Sequence, residues 1–221
     1  MTSPIAAQGS SPELRRPRPL EDKLRIPQFS FPVLPRRRLT NRLDQATRRP
    51  VTLVHGPAGA GKTVACASWA AARLATRQVV WLTLEAEDHP WLWAYICCGL
   101  ARTRVVPGEA LESLEDVSAD VFPLRLAQAA ELFTEPVVLV LDDVQTVTSH
   151  DAVRRGLGVL ARYCPPTLRL VLSGRPPMIG LASPRLTSDF AEIDATDLAC
   201  TADEADAYLA MRGREITPAP H

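Results

Sequence analysis

Residues 56–63 read Gly-Pro-Ala-Gly-Ala-Gly-Lys-Thr and satisfy G-x-x-x-x-G-K-[ST] at every position. These residue types suit phosphate. Glycines let successive backbone N–H groups curl toward one anion. A helix opening near Gly61 turns its positive end to the same place. The Lys62 ammonium would reach the β- and γ-phosphates, and the Thr63 hydroxyl would ligate Mg²⁺. The candidate binding set is Gly56, Pro57, Ala58, Gly59, Ala60, Gly61, Lys62, Thr63 and Val64. A bare glycine turn before a helix would show similar letters. Here the context also fits: Val51, Leu53 and Val54 precede the loop as an apolar strand, and Trp69, Ala72 and Leu74 continue a helical pattern after it.

A second constellation lies at residues 136–143, Pro-Val-Val-Leu-Val-Leu-Asp-Asp. Its apolar run reads as a strand buried on both faces. Asp142 stands where a Walker-B acid should, holding Mg²⁺ directly or through water. Asp143 points differently and is the candidate to orient or deprotonate an attacking water. ATPases of this kind more often carry Glu there, and Asp reaches one methylene less far. Glu85, at the end of another apolar strand, is a second candidate base. Arg175 lies at the polar end of the apolar segment 168–177. It either reads a γ-phosphate or pairs within its own loop, and Pro176 and Pro177 fix the backbone for both roles.

The base is assigned by exclusion. Guanine recognition usually needs an N/T-K-x-D element. Lys occurs only at 23 and 62 and Asn only at 41, so none exists, and adenine remains.

These groups need elements to hold them. Leu39 and Leu43 mark a short helix over 36–46. Strands are expected at 51–54, 79–84, 136–143, 168–177 and 190–194, with helices between them. Pro90 suits the first turn of one helix, with Asp88 or His89 near its cap. Trp91, Tyr95, Ile96 and Leu100 share a face of it, residues 103–119 read as a loop, and helices follow over 123–134, 150–163 and 203–211. Alternating strands and helices predict an α/β parallel sheet with ligands at the carboxyl ends of its strands. The loop, Asp142, Asp143 and Arg175 all fall at that edge.

Composition sets bounds. The 221 residues are 46% hydrophobic and 23% charged with zero formal net charge, which suits one globular domain and gives no whole-chain case for nucleic acid. Cys66, Cys97, Cys98, Cys164 and Cys200 show no metal-type spacing and read as buried thiols in a reducing cytosol. No apolar run is long enough to span a bilayer and no signal-type segment opens the chain, so a cytoplasmic location is expected. Residues 1–35, rich in Pro, Ser and Arg, are expected to form a disordered or extended tail that buries little.

The ordered set KLRIPQF, RRRLTNRLD, HGPAGAGKT, VVWLTLEAEDHPWLWAYI, VVLVLDDVQTV, PPTLRLVLSGRPP and AEIDATDLACTADEADAYL resembles the N-terminal ATPase domain of MalT-like, large LuxR-type transcriptional regulators, which are STAND-class P-loop NTPases. The resemblance covers about residues 23 to 210. It implies an ASCE/AAA-like P-loop fold, a five-stranded parallel sheet in a three-layer sandwich, over residues 36–200. It also implies a switch that rests with ADP, exchanges it for ATP on induction, self-associates and resets by slow hydrolysis. Lys62, Thr63, Asp142, Asp143 and Arg175 take the phosphate, Mg²⁺, acid and arginine roles, and Arg36 to Arg38 with Leu39 match the family's segment near the nucleotide. Such regulators run to many hundreds of residues. This sequence stops at REITPAPH, where residues 201–221 would begin a helical lid, and it shows no DNA-reading motif. Without the lid, ADP retention should be weak, and self-association or contact with further regulator domains is the expected partnership. A standalone ATPase or small kinase, or a remnant with a partial fold, are the alternatives. The paired acids favour water over a phosphoacceptor.

Overall fold

Alternating apolar side chains on each strand supply both faces of one sheet. On β3 (Val137–Asp142), Val137, Leu139 and Leu141 enter one core while Val138 and Val140 enter another. On β4 (Leu168–Gly174), Leu168, Leu170 and Leu172 join the first core and Val171 the second. β1 (Val51–His55) and β2 (Gln78–Thr83) divide the same way. β5 (Phe190–Ile193) closes the set. All four pairings are parallel, in the order β2-β3-β4-β1-β5. The strand leading to Arg175 thus stands between the strand feeding the loop and the strand carrying the acids. This is the expected P-loop sandwich. The computed structural model describes residues 21–115, 117–176 and 190–212.

Helices cover both faces. α1 (Arg37–Ala46) and α2 (Lys62–Arg73) pack on the second core through Leu39, Leu43, Ala65 and Trp69. The first core is roofed by α3 (Leu92–Leu100), α4 (Gly108–Glu112), α5 (Phe122–Ala130), α6 (Gln145–Thr148) and α7 (Asp151–Arg162). α8 (Ala195–Leu198) and α9 (Ala202–Met211) follow β5. Among the described residues no helix is long and apolar enough to cross a membrane. The described cysteines carry free thiols; Cys66 is buried, with burial pushing its pKa up, whereas Cys200 is exposed and not buried as expected.

Three local expectations change. Residues 21–35 are no tail that buries little: a 3-10 turn spans Glu21–Leu24, and Leu24, Ile26 and Phe29 pack against the cores. Lys23 pins the turn, donating to Glu85 at 2.7 Å and to Asp88 at 2.6 Å. The charge-rich surroundings hid these apolar contacts. The expectations for residues 1–20, Pro177 and 213–221 lie outside the described residues. Asp88 does not cap α3. Its side chain and that of Glu85 exchange hydrogen bonds with each other's backbone N–H, a capping box on the 3-10 turn Ala86–Asp88. Pro90 therefore precedes α3, which begins at Leu92. Finally, the segment 103–119 read as loop contains α4.

Candidate functional site

The loop between β1 and α2 needs left-handed backbone at two places. Gly59 has φ 78° and Gly61 φ 81°, where an L side chain is strained. Gly61 is the N-cap of α2 and offers no side chain, so the first N–H groups of the helix are left to a ligand. The Lys62 side chain, buried, folds back on the loop, donating to the Gly56 carbonyl at 3.0 Å and to the Pro57 carbonyl at 2.9 Å. Ala60 N–H closes the turn on the same Pro57 oxygen at 3.3 Å.

At the end of β3, Asp142 is 1% exposed. Its Oδ2 accepts from the Thr63 hydroxyl at 2.7 Å. Its Oδ1 is buried without a hydrogen-bond partner, and so is Ser173 Oγ on the adjacent strand. Burial raises the Asp142 pKa, and the nearby Ser173 and Thr63 hydroxyls only partly oppose it. A buried carboxylate oxygen with a spare lone pair, beside a threonine hydroxyl, fits a hard divalent cation. Among the described residues no cluster of three His, Cys, Asp or Glu could hold a metal. Mg²⁺ at phosphate sites needs only one or two protein ligands, because phosphate and water complete its shell.

Asp143 takes φ 57°, alone among described non-glycine residues in the left-handed region. That conformation ends the strand at Asp142 and turns the chain toward α6. Its Oδ1 accepts from Gln145 Nε2 at 2.8 Å. A cavity of about 390 Å³ is lined by Ala58, Gly59, Lys62, Thr63, Asp143 and Arg175, with Gly61 and Val64. The structure thus brings the loop, one acid and the arginine to one space. Asp142 touches it through Thr63. Glu85 does not line it; Lys23 holds that carboxylate elsewhere.

A second cavity, about 370 Å³, shares Gly59, Gly61 and Val64 with the first. Its other walls include Phe31, Val33, Leu34, Arg36, Ser68 and Tyr208, and the lining is mostly apolar. Sequence reasoning placed Arg36 and Leu39, which also lines this cavity, near the ligand by resemblance but missed Phe31, Val33, Leu34, Ser68 and Tyr208. Phe31 and Tyr208 stand 177 positions apart, and only the fold brings them together. A larger space of about 780 Å³, between α3 and α7 around the stacked rings of His89 and His150, contains none of the loop residues.

The model of the AAA ATPase domain matches residues 35–163. The chain belongs to the AAA ATPase domain family. As an AAA ATPase domain it is similar to the HTH-type transcriptional regulator MalT of Serratia proteamaculans, 30% identical over 189 residues, and to that of Yersinia enterocolitica, 28% over 186 residues. Each alignment covers 80% of this chain and 20% of the regulator, so the chain spans about a fifth of the curated relatives it matches. Among solved structures it is similar to the Aeropyrum pernix Orc1 protein in complex with DNA, with TM-score 0.50 and 18% identity over 80% of this chain and 47% of that one. A Walker-type ATPase of Pyrococcus abyssi matches with TM-score 0.51 and 11% identity, over 84% of this chain and 60% of that one. These two likenesses speak for the AAA fold alone.

Proposed function

We propose that this AAA domain is the nucleotide switch of a MalT-type, LuxR-class regulator, binding Mg·ADP or Mg·ATP and hydrolysing ATP slowly. One observation supports the reading above others: the polar cavity on the glycine loop shares Gly59, Gly61 and Val64 with an adjoining, mostly apolar cavity of a volume that suits an adenosine.

In this reading the amides of residues 58–63 and the Lys62 ammonium bind the phosphates, exchanging loop carbonyls for anionic oxygens. Thr63 and Asp142 would hold Mg²⁺, which when bound would neutralise phosphate charge. Asp143 orients the attacking water, and Arg175 faces the γ-phosphate. The shorter reach of Asp relative to Glu at 143 accords with slow turnover, which suits a switch that must persist. Phe31, Leu34 and Tyr208 surround the base. Self-association or docking of further regulator domains, in the cytoplasm, would be the output.

Isothermal titration with Mg·ADP and Mg·ATP tests the reading. Binding by the wild type and its loss in Lys62→Ala are expected. Equal heats from both proteins, or no heat from the wild type, would end it. Phosphate release in a single turnover separates the switch from a working ATPase, which would turn over at several per second or faster, within the common enzyme range of roughly 1–10³ s⁻¹.

A further inference from the structure

We propose that Gln145 is a positioning residue that couples Asp143 to Arg175 at the edge of the phosphate cavity. The proposal rests on the nucleotide reading above and names a part of its machinery that no motif marks. The Gln145 amide is used at both ends. Nε2 donates to Asp143 Oδ1 at 2.8 Å, and Oε1 accepts from the Arg175 backbone N–H at 2.9 Å. Asp143 and Arg175 both line the cavity. One side chain therefore ties the end of β3 to the end of β4.

The surroundings fit that strut. Asp143 stands in left-handed backbone, a conformation that persists only when neighbours fix it. The Asp143 carbonyl is held by the Thr146 hydroxyl at 2.7 Å and the Thr146 N–H at 3.0 Å, so the backbone beneath Gln145 is also anchored. Val144 N–H donates to the Ser173 carbonyl at 3.0 Å, adding a second link between the two strand ends. Room for the amide comes from Gly174, where a Cβ would lie 2.7 Å from Gln145 Oε1 and 2.9 Å from Val144 Cγ2.

The chemistry demands an amide. A donor must meet a carboxylate and an acceptor must meet an N–H, within one planar group. Glutamate keeps the shape and the acceptor but sets a carboxylate against Asp143. Asparagine keeps the chemistry and falls one methylene short. With Oδ1 engaged, Asp143 is left one oxygen for a water, in an orientation set by the strut. A displacement of Arg175 by a γ-phosphate is then transmitted to that oxygen through a rigid amide rather than through solvent.

The test uses wild type, Gln145→Ala, Gln145→Glu and Gly174→Ala in the full chain. Three readouts are taken: Mg·ADP affinity by calorimetric titration, single-turnover phosphate release from Mg·ATP, and hydrogen exchange of the Arg175 amide by NMR. Exchange at Leu141 and Leu172 in the same samples reports whether each variant is folded. The expected result is Mg·ADP affinity within about twofold of wild type, phosphate release slowed roughly ten- to a hundredfold by a misplaced acid, and Arg175 exchange accelerated about tenfold. Gln145→Glu, of equal volume, should behave like Gln145→Ala. Unchanged Arg175 exchange in Gln145→Ala, or phosphate release at the wild-type rate despite faster exchange, overturns the proposal. Failure of the wild type to bind nucleotide instead defeats the functional reading, and the exchange comparison still decides whether the strut exists.

Discussion

The Thr63 hydroxyl donates to Asp142 Oδ2 at 2.7 Å, joining residues 79 positions apart in the sequence. It links the first turn of α2 to the end of β3, and it leaves Asp142 Oδ1 buried and unpartnered. A buried carboxylate oxygen without a well-formed hydrogen bond destabilises the nucleotide-free chain by up to about 1–3 kcal/mol, with the nearby Ser173 hydroxyl offsetting part of it. Asp142→Asn, which removes the charge, should therefore raise the melting temperature of the nucleotide-free chain. The same variant should lose the extra stabilisation that Mg²⁺ adds to ADP, because the cation loses its carboxylate. Thermal melts with and without Mg·ADP check both signs. A variant stabilised by Mg·ADP as much as wild type would show that Asp142 is not a cation ligand.

The strand ends were legible because the signals there are dense. Apolar runs that end in Asp-Asp or Ser-Gly-Arg mark buried parallel strands and their polar edge; four of the expected strands formed within a residue or two, while β4 ends at Gly174, short of the segment read to 177. Gln145 was not legible: it sits in Val-Gln-Thr with no periodicity, and its meaning depends on a contact across 30 positions. The apolar cavity was hidden for the same reason, being assembled from residues near 31, 65 and 208. Asp88 misled because both caps it could serve begin within a few residues of it, and the local Glu85 partner won. Residues 21–35 misled because composition sees Pro and Arg but not the isolated Leu24, Ile26 and Phe29 that find the cores.

α1 and α2 are held together by one acid. Asp44 accepts from Trp69 Nε1 at 2.9 Å and from Arg73 Nε at 2.9 Å, with a further short contact from Arg73 Nη2. Hydrogen bonding from the Arg73 guanidinium pulls the Asp44 pKa below the usual carboxylate range, outweighing burial, and Trp69 assists. A depressed carboxylate stabilises the fold above its unfolded pKa, about 3.9, and that stability is lost as pH falls through the folded value. Asp44→Asn should thus be less stable than wild type by a margin constant from about pH 5 to 7 that shrinks below about pH 4. Urea unfolding across that range measures it. A margin independent of pH would mean that Asp44 contributes by shape and not by charge.

Gly156 faces the indole of Trp93 at the point where α7 crosses α5. A Cβ there would lie 2.6 Å from Trp93 Cζ2 and 3.1 Å from Pro123 Cγ. Both neighbours are rigid, so the helices must separate. Alanine gains about 1 kcal/mol of helix propensity over glycine. Overpacking typically costs about 1–3 kcal/mol, and the rigidity of both rings places this site at the upper end. Gly156→Ala is expected to destabilise by about 1–2 kcal/mol net. Equilibrium unfolding would show it as a lower midpoint with an unchanged slope, and an unchanged or higher midpoint would mean that α7 can shift freely.

α9 has no buried residue, so polar ties must carry its placement. Arg36 ties it, through Glu204, to the end of α8. Its guanidinium donates to the Leu198 carbonyl at 2.8 Å, the Ala199 carbonyl at 2.7 Å and Glu204 Oε2 at 3.0 Å. Arg38 adds bonds to the Asp197 and Ala199 carbonyls. These oxygens end α8, where a cation is favoured. Glu204 is partly buried, which raises its pKa, but Arg36 and its bond to Thr201 N–H bring the carboxyl below its usual value, so the pair is charged at neutral pH. Arg36 also lines the apolar cavity that α9 closes through Tyr208. Arg36→Ala should free the chain after Ala199 and open that cavity together. Limited proteolysis within α9 should then accelerate about tenfold or more, since a segment without buried contacts opens at little cost once its ties are cut. Mg·ADP should slow cleavage in the wild type and do so far less in the variant. Cleavage of Arg36→Ala at the wild-type rate, with the same protection by nucleotide, would show that α9 is held by something other than this clamp.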